Sequence, residues 1–169
     1  MKHLKLYENF SSDTNKVIFL DIDGVLNLIY KDSSFDEYGQ IFNKTCVDNF
    51  KSIIEQTNAK IIVSSTWKDS GLSIMKEMWI NRNLPGEVID ITPSAQDVVD
   101  HGIEPYMDLV SRGSEIELWM IKNDFKGNYI IIDDVRDFTI EQSKYLIKTN
   151  SMIGLTKEDS VKSINLLNR

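Results

Sequence analysis

Val17-Ile-Phe-Leu20 runs straight into Asp21-Ile-Asp23-Gly24-Val-Leu26, and the change of character after Leu20 decides the fold. A short, wholly apolar run rich in β-branched residues is the pattern of a strand buried on both faces. The two carboxylates and the glycine that follow mark where it leaves the interior. The pattern recurs twice: Ile61-Ile-Val63 passes into Ser64-Ser65-Thr66-Trp67-Lys68, and Tyr129-Ile-Ile-Ile132 passes into Asp133-Asp134. Between these runs lie stripes at helical spacing, one of Val47, Phe50, Ile53 and Ile54 and one of Ile116, Trp119 and Met120. Strand and helix in alternation predict an α/β fold, a three-layer doubly wound parallel sheet whose ligands bind at the carboxyl ends of the strands. Weaker strands are expected over 87–91 and 145–148, and a last helix over 157–167 that Thr156 caps with Asp159 reaching back.

The remaining sequence sets bounds. With 169 residues, 41% of them hydrophobic, and only eight glycines and three prolines, the chain reads as one domain over 1–169. Residues 1–15 form an N-terminal extension, and 28–44, with Tyr30, Phe35, Tyr38 and Phe42 among polar residues, read as a flap too short for a separate cap domain. No apolar run approaches the ~20 residues of a membrane span, and the N-terminus has no signal-peptide core, so a cytoplasmic protein is expected. One cysteine, Cys46, and two histidines, His3 and His101, exclude an internal disulfide and a zinc cluster, and none of the three is assigned a role. A net charge of -7 argues against broad non-specific attraction to nucleic acid.

The strand ends carry the chemistry. Asp23-Gly24 alone would be an ordinary turn. Asp21, Asp23, Asp133, Asp134 and, three residues on, Asp137 crowd one sheet edge with like charge, which is costly without a cation. Oxygen ligands from carboxylates select a hard divalent ion, Mg²⁺ first, which commonly bridges to a substrate phosphate. The hydroxyls after the Ile61–Val63 run suit phosphate oxygens, although Ser-Ser-Thr is also a normal helix cap.

Val17-Ile-Phe-Leu-Asp-Ile-Asp-Gly-Val-Leu26 resembles the first motif of the haloacid dehalogenase (HAD) superfamily, Ser64 the second, and Ile130-Ile-Ile-Asp-Asp134 the fourth. Ser-Ser-x-Trp-basic, Arg112-Gly-Ser-Glu-Ile-Glu-Leu-Trp119, the aspartate pair and Gly154-Leu-Thr156 are similar to the small HAD domain of Swiss Army Knife RNA repair proteins. The resemblance implies a Mg²⁺-dependent phosphatase acting through an aspartyl-phosphate. Asp21 would be the nucleophile and Asp23 the general acid, then base, its backbone carbonyl facing the metal. Asp133 or Asp134 would join Asp21 as ligand, and Ser64, assisted by Ser65, would bind phosphoryl oxygens. The basic third motif falls on Arg112 at a helix start near Ser114, in preference to Lys122 and Lys126; pairing of Arg112 with Glu115 or Glu117 is the competing expectation. The implied partner is a phosphorylated substrate, with a nucleic-acid end favoured by the narrower resemblance; no membrane and no obligate protein partner are indicated.

Around this centre, Lys68 and Arg82 are second-tier candidates for the basic motif and read rather as solvated cations, and Trp79 and Trp119 read as packing residues. Trp67 fits either packing or base stacking, while Tyr30, Phe35 and Tyr38 of the flap are the better candidates for substrate contact. The competing functions are a small-molecule or nucleotide phosphatase with the flap as lid, and a catalytically silent binding protein on the same fold. A receiver-type signalling module fits poorly, because its acceptor would fall at Asp90, which lacks the accompanying pattern.

Overall fold

The computed structural model describes residues 15–28, 34–103 and 111–169. The N-terminal extension up to residue 14, and Tyr30 with its neighbours in the flap, lie outside the described residues. Five parallel strands form the central sheet: β1 (Lys16–Leu20), β4 (Lys60–Val63), β5 (Val88–Ile91), β6 (Asn128–Asp133) and β7 (Leu146–Lys148), in the order β5-β4-β1-β6-β7. The remaining strands, β2 (Phe35–Asp36) and β3 (Gly39–Gln40), pair as a small antiparallel hairpin.

The sheet is sandwiched because each central strand is apolar on both sides. Ile18 and Leu20 of β1 face a core shared with α1 (Lys44–Thr57), α2 (Leu72–Asn81) and α6 (Lys157–Leu167). Val17 and Phe19 face a second cluster built with Ile116 and Trp119 of α4 (Arg112–Lys122). The short helices α3 (Ala95–Asp100) and α5 (Ile140–Ser143) complete the chain; neither shows enough helical period to be legible in the sequence. Both resolved helix boundaries that the sequence made explicit rest on side-chain caps. Thr156 and Asp159 form a reciprocal capping box at α6, and Ser111 accepts the Ser114 amide at 3.1 Å, so α4 starts two residues earlier than the sequence suggested.

The winding positions the site. From β1 the chain moves outward to β4 and β5 with α1 and α2 on one face, then crosses back over the other face through α4 to β6. That reversal puts the topological switch between β1 and β6, where a doubly wound sheet opens its ligand crevice.

Candidate active site

Register alone brings the strand ends together. Leu20 lies opposite Val63 on one side and Ile132 on the other, so the next residues, Asp21, Ser64 and Asp133, reach the carboxyl edge at one level. Backbone hydrogen bonds continue the ladder past the strands, from the Asp21 amide to Ile132 O and from the Ser64 amide to Leu20 O, each 2.9 Å. Asp21 and Asp133 are buried, and Asp134 is half-buried beside them. Carboxylate oxygens of the three lie within 4.8 Å of one another.

Arg112 is the cation of this cluster. Its Nη1 stands 2.8 Å from Asp21 Oδ2 and 2.8 Å from Asp133 Oδ2. It pairs with these distant acids rather than with Glu115 or Glu117 of its own helix. Asp137 aims it: the Asp137 carboxylate accepts the Arg112 amide at 3.1 Å and its carbonyl accepts the Gly113 amide at 3.2 Å, capping α4 where its orphan N–H groups emerge. Asp137 therefore serves the helix rather than the acidic cluster. Gly113 permits the approach, since a Cβ there would stand 2.5 Å from Gln142 Oε1.

Burial pushes the Asp21 carboxyl above the usual carboxylate range, against the opposing pull of Arg112. Asp133 is raised to about 6, by burial first and then by the Asp21 charge, again with Arg112 opposing. For Arg112 itself burial acts downward, but the two carboxylates outweigh it and raise its pKa. One guanidinium, paired with two of them, is thus set against a cluster of three acids, and negative charge is left over. Asp21 Oδ1 and the hydroxyls of Ser64 and Ser65 are buried with no hydrogen-bond partner, an arrangement that normally calls for a ligand. The Ser65 hydroxyl lies near the Asp21 carboxylate without meeting hydrogen-bond geometry. An all-oxygen donor set with an orphaned carboxylate oxygen and surplus negative charge fits a hard divalent cation such as Mg²⁺.

Asp23 stands apart from this cluster. The turn after β1 folds back through the amides of Val25, Leu26 and Asn27 onto Ile22 O, which brings Asn27 beside Asp23. Asn27 Nδ2 donates to Asp23 Oδ1 and Trp67 Nε1 donates to Asp23 Oδ2, each at 3.0 Å. Gly24 makes the turn at φ +74°, and a Cβ there would collide with the Asp134 side chain, 2.5 Å from its Cγ. The turn and the aspartate pair are therefore packed as one unit.

Two residues differ from their sequence expectation. Lys68 is buried rather than solvated: its ammonium donates to Thr92 Oγ1 at 2.9 Å, to Pro93 O at 3.0 Å and to Glu115 in a close ion pair. It ties the turn after β4 to α4, one helical turn beyond Arg112. Arg82 is also buried: it grips Asp36 of the hairpin with Nε at 2.9 Å and Nη2 at 2.5 Å, and stacks 4.7 Å over Phe42. The Tyr38 hydroxyl is held against α2, donating to Glu77 at 2.7 Å and accepting from Asn81 at 2.6 Å. The hairpin is fastened to α2, whereas Phe35 on it is exposed. Trp67 and Asn27 are the site residues that the sequence reading did not place; the Ser-Ser-x-Trp signature held the signal for Trp67. Trp79 and Trp119 are packing residues, hydrogen-bonded to Pro85 O and to Asp90.

A parallel sheet with an acidic, cation-ready centre at the switch point defines an α/β protein of the HAD-like Rossmann type, with no large cap among the described residues. A family model described as the HAD domain in Swiss Army Knife RNA repair proteins matches residues 17–160, and the chain belongs to that family. Membership supports a hydrolase activity of the HAD phosphatase type. No curated protein and no solved structure matches the chain. No helix among the described residues is long and apolar enough to cross a membrane.

Proposed function

We propose that the protein is a phosphomonoesterase that hydrolyses its substrate through a phosphoenzyme on Asp21. The observation that carries this reading is the state of the Asp21 carboxylate: Oδ2 is engaged by Arg112 while Oδ1 is buried and unpartnered, and the hydroxyls of Ser64 and Ser65 at the end of the neighbouring strand are buried and unpartnered too. One oxygen is held and the other is left free to react. Asp21 Oδ1 attacks phosphorus as the ester oxygen departs, and Asp23 delivers the proton that the leaving oxygen needs. Asp23, now ionised, takes a proton from water, and the resulting hydroxide cleaves the acyl phosphate to regenerate Asp21 and inorganic phosphate. Ser64 and Ser65 donate to the phosphoryl oxygens, and Arg112 keeps Asp21 oriented between turnovers. Asp21, Asp133 and Asp134, with the Asp23 carbonyl, would hold Mg²⁺, which when bound offsets the charge of the anionic nucleophile and phosphate.

The substrate is assigned as a terminal phosphate on a polynucleotide. The family to which the chain belongs is described by RNA repair, and the described hairpin is fastened to the α2 side through Tyr38–Glu77 and Asp36–Arg82. The second reading, a nucleotide or other small phosphate ester, is favoured by the net charge of -7. The test is phosphate release from an aryl phosphate, mononucleotides, phosphopeptides and 3′- or 5′-phosphorylated oligonucleotides, with Mg²⁺ or EDTA. Release that needs Mg²⁺, disappears in Asp21→Asn and is fastest on an oligonucleotide is the expected result. Faster turnover of the mononucleotide would transfer the assignment to the small-ester reading, and no release by a folded, Mg²⁺-bound protein would reject catalysis.

A further inference from the structure

We infer that Trp67 is a positioning residue for Asp23, aiming its carboxyl at the leaving-group oxygen through the indole N–H; this inference rests on the phosphatase reading above. Four observations converge on it. The indole N–H is directed at Asp23 Oδ2 at 3.0 Å, a contact made across 44 residues of sequence. The second carboxylate oxygen is taken by Asn27 at 3.0 Å, so both Asp23 oxygens have a fixed donor and the plane of the carboxyl is set. The indole is itself held from three sides: edge-on to Phe42 with centroids 5.5 Å apart, under the Arg82 guanidinium at 5.7 Å, and against Gly39, where an added Cβ would stand 3.4 Å from the ring. Lastly, Trp67 is the second residue of the 3-10 turn Thr66–Ser70 that follows Ser64 and Ser65 out of β4, so one short segment carries both the serine hydroxyls and the support for the acid.

The seat of the indole reaches the hairpin. Arg82 binds Asp36 and the Gly39 carbonyl while lying over Trp67, and Arg82, Phe42 and Gly39 together fix the ring that fixes Asp23. A buried indole N–H finds an acceptor in any case, as those of Trp79 and Trp119 do; what distinguishes Trp67 is which acceptor it has. Its acceptor is Asp23, whose carboxylate is not among the clustered carboxylates of Asp21, Asp133 and Asp134, as suits an acid reserved for proton transfer.

Trp67→Phe removes the donor and keeps an aromatic ring. A displaced general acid slows only those reactions whose leaving oxygen must be protonated. The experiment follows leaving-group release in a single turnover from an alkyl phosphate and from 4-nitrophenyl phosphate, with Mg²⁺, for wild type, Trp67→Phe, Asp23→Asn and the double variant. Trp67→Phe is expected to slow alkyl ester cleavage by about 10-fold or more, within the ~10²–10⁴ that a general acid contributes. Release of 4-nitrophenolate, a good leaving group, should change by less than about 3-fold on the same grounds. In the Asp23→Asn background the tryptophan substitution should add little, since both act through one proton. Equal slowing of both esters, no slowing of either, or full additivity with Asp23→Asn would overturn the inference. A wild type without activity on any ester would instead reject the phosphatase reading. Should Trp67→Phe fail to fold, the indole N–H resonance of Trp67 is compared between wild type and Asp23→Asn: an upfield move on loss of the carboxylate is expected, and an unmoved resonance refutes the contact.

Discussion

Replacing Arg112 by methionine removes the only cation within ion-pair distance of Asp21 and Asp133 among the described residues, and the structure fixes both the size and the pH dependence of the result. Asp21 and Asp133 are 2% and 0% exposed, so the variant leaves two acids in the interior 2.8 Å from a charge that is no longer there. Breaking a fully buried pair costs ~3–5 kcal/mol, and because about a quarter of the arginine side chain is exposed the expected loss is nearer ~2–4 kcal/mol. For a chain of this size that corresponds to a fall in Tm of roughly 6–12 °C.

The loss is not constant with pH. Folding raises Asp133 from 3.8 to about 6, so its contribution to stability is fully present below 3.8 and is lost as pH rises through about 6. Arg112 moderates that shift, and without it the folded pKa rises further, as does that of Asp21. The deficit of Arg112→Met against wild type should therefore be largest near pH 8 and shrink as pH falls below about 6, where the variant's acids take up protons. Urea unfolding of both proteins in EDTA at pH 8 and pH 5 measures it directly. A deficit below ~0.5 kcal/mol at pH 8, as for an ordinary surface substitution, or one equal at both pH values, would refute the electrostatic account.

Gly24→Ala places a side chain at φ +74° against Asp134, so a loss of at least ~1–2 kcal/mol from the backbone alone is expected in thermal unfolding, together with weaker Mg²⁺ binding by calorimetry; unaltered binding would show that Asp134 is not a ligand. Lys68→Met leaves Glu115 buried and unpaired, for ~3 kcal/mol of destabilisation in urea, and Lys68→Met with Glu115→Leu should regain most of it; a double variant as weak as the single would contradict a pair whose side chains are only 9% and 13% exposed.

The sheet was legible because its three central strands are apolar on both faces and end abruptly in polar residues. Those ends mark the same edge that the register brings level, which is why the sequence alone groups Asp21, Ser64 and Asp133. Other parts were legible only locally. Thr156 and Asp159 announce α6 through a contact spanning three residues, whereas α3 and α5 have too few residues to display a period. Lys68 and Arg82 were misread for a different reason. A cation after a strand or at a helix end is ordinarily solvated, and what buries these two are Glu115 and Asp36, 47 and 46 residues away in sequence. No local pattern encodes such pairings.

Arg112 shows the same limit from the other side. Its position at a helix start was readable, but the sequence offered Glu115 and Glu117 as local partners, and a helix does favour pairs three or four residues apart. The fold overrides that preference because Asp137 caps α4 and Gly113 lets the helix start approach the 137–142 segment, which turns the arginine toward the strand ends. The chemistry of the centre thus depends on groups that perform none of it: Asp137 for Arg112, and Trp67 and Asn27 for Asp23. A chain that kept both aspartate pairs but lost these supports would retain the motif while losing the arrangement that the motif needs to act.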